Sequence, residues 1–140
     1  MDSYKIGDIL YFLSYYFTDT NECAPHYAMV VLPSILMEYE SQILCCVITS
    51  NQEAKKKKYC ISLSLDIHKC FNRETFCCLN RRDIESLGDL DLSKKLPLSI
   101  LTKDELKKCF KLFKNIKHSP IQNNYFVPVI VREWKRSLIV

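Results

Sequence analysis

A chain of 140 residues is the length of one domain, able to bury roughly two thirds of its unfolded surface around a single core. Its 48% hydrophobic and 26% charged residues exclude a disordered chain, and two glycines are too few for a phosphate-cradling loop or a dinucleotide fingerprint. The net charge of +4 is unevenly spread: "EAKKKK" and the lysines between Thr102 and His118 form basic stretches that suit a polyanion such as RNA, or else a solvated surface.

In chain order, Gly7 to Phe17 (GDILYFLSYYF) reads as a first strand after a glycine turn. TDTNECAP carries turn chemistry and reads as a loop, and HYAMVVLP as a strand stopped by Pro33. SILMEYESQ is a short helix or loop, while ILCCVITSN is a continuous apolar run suited to a central strand ending in Thr49, Ser50 and Asn51. After a basic loop, Gln52 to Lys58, the alternation in YCISLSLD marks a strand with one core face. FCCLN is a further strand and RRDIESLGDLDLS a meandering acidic connection. Strands this short and this frequent predict a small barrel or sandwich.

The clearest helix is TKDELKKCFKLFKNIKH. Thr102 and Glu105 form a capping box, and Leu106, Cys109, Phe110, Phe113 and Ile116 make a core-facing stripe. Beyond Pro120, NNYFVPVIVREW reads as an edge strand in which Pro128 removes a backbone donor. The longest apolar runs are strand-sized, far below the ~20 residues of a membrane helix, and the acidic start lacks the basic region of a signal peptide. The expectation is a soluble, cytoplasmic protein with no membrane partner. In that compartment the eight cysteines are reduced. A zinc site can be drawn from Cys60, His68, Cys70 and Cys77, but its spacing matches no common ligand pattern, so no metal and no cofactor are expected.

Four pieces in order resemble the MazF/PemK family of type II toxin–antitoxin ribonucleases. They are YKIGDILYFLSYYFTD with its Gly-Asp-Ile start, PHYAMVVLP, CCVITSN, and LPLSILTKDELKKCFKLF. The resemblance covers about residues 4 to 116 of a single domain, 1 to 140, and leaves 119 to 140 as a C-terminal extension, read as the edge strand. It implies a mainly β fold with helices, a small SH3-like barrel (MazF/PemK/CcdB-like) carrying a packed C-terminal helix, and a homodimer. It also implies metal-free cleavage of single-stranded RNA, by attack of a ribose 2′-OH on the adjacent phosphorus, and an antitoxin protein as partner.

Carried onto this chain, the catalytic positions are Thr49 and, where the family has an arginine, His26. A histidine titrates near neutrality and serves as acid or base, but lacks the permanent guanidinium that clamps phosphate. Ser50, Asn51, Arg81 and Arg82 are the candidate RNA-binding residues, and Tyr15, Tyr16, Phe17 and Tyr27 offer base-stacking faces. Two other functions fit the same fold: a catalytically inactive barrel that binds RNA or protein, and a toxin that grips a protein target through REWKRSLIV and its single Trp134.

Overall fold

The computed structural model describes residues 3–116 and 126–139. Among the described residues six strands, β1 (Asp8–Phe17), β2 (Glu22–Leu32), β3 (Gln42–Thr49), β4 (Cys60–Leu63), β5 (Thr75–Ser86) and β6 (Ser99–Ile100), form one sheet in the order β4-β5-β3-β2-β1-β6. Every pairing in it is antiparallel. Two helices follow, α1 (Lys103–Asn115) and α2 (Val127–Ile139).

The sheet is curled into a half-barrel, and its bends have local causes. Register shifts interrupt β1 between Phe12 and Tyr15, β2 between Val30 and Leu32, and the β3–β5 ladder between Cys46 and Val47. An extra residue in one strand increases twist and turns the strand aside. The curl brings β1 back to β5, which is not its neighbour in the ladder. Side chains close that seam: Asp83 accepts from the Tyr15 hydroxyl at 2.6 Å and from the Thr18 N–H at 2.8 Å, and Glu85 accepts from the Tyr16 N–H at 2.7 Å.

Both faces of the sheet are covered. Leu10, Phe12, Tyr15, Val30, Ile43 and Cys45 fill the inside of the curl. The outer face carries Ile9, Met29, Leu44, Cys46 and Leu79 against Cys109 and Phe113 of α1 and Ile130 and Trp134 of α2. Phe113 meets Trp134 edge-on at 5.0 Å, and the Trp134 indole N–H donates to the Val31 carbonyl at 2.9 Å. The capping box of α1 forms as its sequence requires. Gly7 has φ +90°, so the turn into β1 selects glycine; a Cβ there would stand 2.9 Å from Leu106 Cδ2 and displace that side-chain tip on α1.

Three sequence expectations change. The expected C-terminal edge strand is instead α2 over Val127–Ile139; its earlier part, 119–125, lies outside the described residues. Pro128 sits in the first turn, where no intrahelical donor is missed, and Ile130 and Trp134 at i, i+4 give the helix its buried stripe. As a helix, this segment presents no strand edge for a second copy to pair with. β2 begins at Glu22, so Glu22 to Pro25 are strand and not loop. Pro25 lies opposite the β1 irregularity, where a missing N–H costs no ladder bond. β5 runs on through Arg81 to Ser86, because Asp83 and Glu85 turn inward to close the seam.

Candidate functional site

The β2–β3 ladder decides where the sequence candidates fall. Ala28 pairs with Val47, and extending that antiparallel register by two residues sets His26 beside Thr49. Both line one cleft of about 460 Å³ with Ser50, and the far wall is the irregular segment between β4 and β5, which contributes Lys69, Asn72 and Arg73. Tyr27 and Phe71, edge to face at 5.1 Å, supply its aromatic surface. Among the described residues, none that lines this cleft is acidic.

His26 is half-buried between rings, 5.1 Å from Phe17 and 6.0 Å from Tyr15 between centroids. Its Nε2 is buried without a hydrogen-bond partner among the described residues. Burial lowers its pKa, the Arg81 charge acts in the same sense, and backbone hydrogen bonding at Ile48 and Pro25 opposes them. The ring is therefore neutral at neutral pH, the form that can take up a proton. The Thr49 hydroxyl accepts from the Asn51 N–H at 3.1 Å, and its own proton stays available to an anion in the cleft.

The remaining candidates separate. Asn51 and Arg81 line a second cleft of about 330 Å³, which shares Thr49 with the first. Asn51 caps the short helix Gln52–Lys56 by accepting from the Glu53 N–H at 3.0 Å. Arg81 bonds Asp19 at 3.2 Å and lies over the Phe17 ring. Arg82, expected beside Arg81 on an RNA surface, is fully buried: it pairs in register with Cys46, whose side chain belongs to the helix-covered face. A strand's alternation sends adjacent side chains to opposite faces, so the pair cannot act as one cationic patch. Tyr15, expected as a base-stacking face, likewise belongs to the inner core. Trp134 is wholly buried, which removes it as an exposed anchor for a protein target.

Sequence reading passed over Lys69, Asn72 and Arg73; their only signal is a polar, basic stretch, HKCFNRE, between two strands. It also passed over a buried chain of three polar groups. His68 Nδ1 lies 2.6 Å from Ser99 Oγ, and its Nε2 lies 2.8 Å from Glu105 Oε1, the carboxylate that caps α1. His68 is fully enclosed and lines neither cleft, so this chain fastens the β4–β5 segment to β6 and to the start of α1. Among the described residues no cluster of His, Cys, Asp and Glu suits a metal ion, and no helix is long and apolar enough to cross a membrane. No family model matches the chain, and no curated protein matches its sequence.

Proposed function

We propose that the chain is a metal-independent endoribonuclease acting on single-stranded RNA, an SH3-like barrel of the MazF/PemK type that works as the toxin of an antitoxin pair. The observation that carries the reading is the composition of the first cleft. A neutral imidazole and a threonine hydroxyl share it with two cations and, among its described lining, no carboxylate. In-line attack by a 2′-OH needs a proton acceptor, a charge for the phosphoryl oxygens and a donor near the leaving oxygen. His26 takes the 2′-proton, Lys69 and Arg73 hold the phosphate, and Thr49 and Ser50 donate to its oxygens. Tyr27 and Phe71 give bases a stacking surface. Arg73 thereby stands in for the arginine that His26 displaces in the resemblance. The bond from the 2′-oxygen to phosphorus forms as the bond to the 5′-oxygen breaks, and the departing 5′-oxygen takes a proton from water, leaving a 2′,3′-cyclic phosphate and a free 5′-hydroxyl. A homodimer and a protein antitoxin covering the cleft complete the proposal.

One observation favours a second reading, an RNA-binding barrel that does not cleave: His26 Nε2 is buried against aromatic rings instead of opening to solvent. The deciding experiment is incubation of end-labelled single-stranded RNA with the protein in excess chelator, with the new ends identified chemically. Cyclic phosphate ends that vanish in His26→Ala support the nuclease. RNA bound in a Lys69- and Arg73-dependent way, but left intact, establishes the binding module and refutes the nuclease.

A further inference from the structure

Two pairs of cysteines meet in the sheet at almost the same sulfur separation but in opposite surroundings. Cys46 and Cys77 are 3.1 Å apart and both wholly buried. Cys60 and Cys78 are 3.2 Å apart, and both line the second cleft. Cys60 is half-buried there, while Cys78 lies beneath it with 4% of its surface exposed. The two are direct partners across the β4–β5 ladder. Directly opposed residues of an antiparallel pair have Cα atoms about 4.5–5.5 Å apart, inside the range a disulfide spans, so a bond between them requires no movement of the strands.

The cleft also supplies what a reactive thiol needs. Lys57 and Arg81 line it, with Arg81 paired to Asp19 and Glu53 also on the lining, and a partly open setting with cations near the sulfur is where a cysteine becomes a nucleophile. We propose that Cys60 and Cys78 form a hydroperoxide-oxidisable dithiol, a modification site in which Cys60 attacks and Cys78 resolves. In the neutral pair the Cys60 S–H donates to Cys78 Sγ; the contact with Cys78, with Lys57 and Arg81 nearby, outweighs burial and lowers the Cys60 pKa, whereas the contact with Cys60 and burial hold the Cys78 thiol up. The order of attack follows from exposure, since half-buried Cys60 faces the cleft and Cys78 lies beneath it, and the pKa directions agree.

In the first step the Cys60 thiolate attacks the terminal oxygen of the hydroperoxide. An S–O bond forms, the O–O bond breaks, and the departing alkoxide or hydroxide takes the proton that Cys60 had released. Cys78 then attacks the sulfenic sulfur: an S–S bond forms, the S–O bond breaks, and hydroxide leaves as water with the Cys78 proton. Two thiols are oxidised by two electrons and one peroxide is reduced. The Cys46–Cys77 pair, equally close but sealed under both helices, is the internal control. The contact with Cys46 and burial together keep the Cys77 thiol protonated, and neither sulfur is within reach of the oxidant.

The test treats the reduced protein with equimolar hydrogen peroxide, alkylates free thiols under denaturing conditions and maps the peptides by mass spectrometry. Cys77 and Cys78 are adjacent, so wild type is read beside Cys78→Ser and Cys77→Ala. A crosslink from the Cys60 peptide that persists in Cys77→Ala and disappears in Cys78→Ser is the expected result. Cys78→Ser should instead accumulate a dimedone-reactive Cys60 several-fold faster than the exposed Cys23. A Cys60 that stays alkylatable to the same extent as Cys23 in wild type overturns the proposal. So does a first crosslink between Cys46 and Cys77.

Discussion

Glu85 makes the seam of the half-barrel sensitive to pH in a direction opposite to that of most carboxylates. Its side chain is 2% exposed, Oε1 accepts from the Tyr16 N–H, and Oε2 has no hydrogen-bond partner among the described residues. Burial pushes its pKa from 4.5 up to about 8; the Tyr16 N–H opposes the rise, and the Asp83 and Asp89 carboxylates add to it. Between these two values the folded chain holds a proton that the unfolded chain has lost. The unfolded state binds fewer protons, so stability is fullest below 4.5 and is lost as pH rises through about 8. Each pH unit in that window carries at most about 1.4 kcal/mol, a ceiling of roughly 4–5 kcal/mol that solvent around the seam reduces to about 2 kcal/mol. Glu85→Gln keeps an acceptor for Tyr16 and removes the titration. Urea unfolding followed by the single Trp134 should find the variant about equal to wild type near pH 5 and ~2 kcal/mol more stable near pH 8. Parallel pH dependences for the two proteins would refute the argument.

The helix-covered core predicts an asymmetry between neighbouring aromatics: Phe113→Ala should cost ~3–5 kcal/mol in chemical denaturation, and half-buried Phe110→Ala clearly less. His68→Ala leaves the buried Glu105 without its imidazole partner and should lower stability by about 3 kcal/mol, read as an earlier urea midpoint with an unchanged slope. RNA cleavage by wild type should rise with pH and level off below the ordinary histidine value of 6.5, since a base must be unprotonated and burial lowers the His26 pKa; the profile is lost in His26→Ala. Lys69→Ala and Arg73→Ala should each weaken RNA binding and flatten its dependence on salt, measured by fluorescence anisotropy.

What the sequence disclosed follows the range of the interactions involved. The capping box of α1 is legible because its partners are three residues apart, and β3 because an unbroken apolar run serves a strand buried on both faces. α2 is not legible from local preference. Val-Pro-Val-Ile-Val has the β-branched composition of a strand, and the helix depends on docking Ile130 and Trp134 against the sheet. The extension of β5 is hidden for a related reason: Asp83 and Glu85 occupy inward positions that a polar-out pattern assigns to solvent. The meeting of His26 with Thr49 becomes readable once β2 and β3 are paired. Lys69 and Arg73 reach the same cleft along an irregular path, and no periodicity marks it.

The bond from the Trp134 indole to the Val31 carbonyl joins residues 103 positions apart in the chain. On a ribosome, β2 therefore emerges long before the residue that seals its outer face. Until α1 and then α2 emerge, Val31, Met29 and Leu44 have no helix above them, and the sheet must wait with one apolar side open. Contacts of such separation slow folding and lengthen the time in which sticky surface is available to other chains. The face that finally holds the molecule together is thus the last to be secured, and yield in the cell should respond to translation speed and chaperone supply more than equilibrium stability alone would indicate.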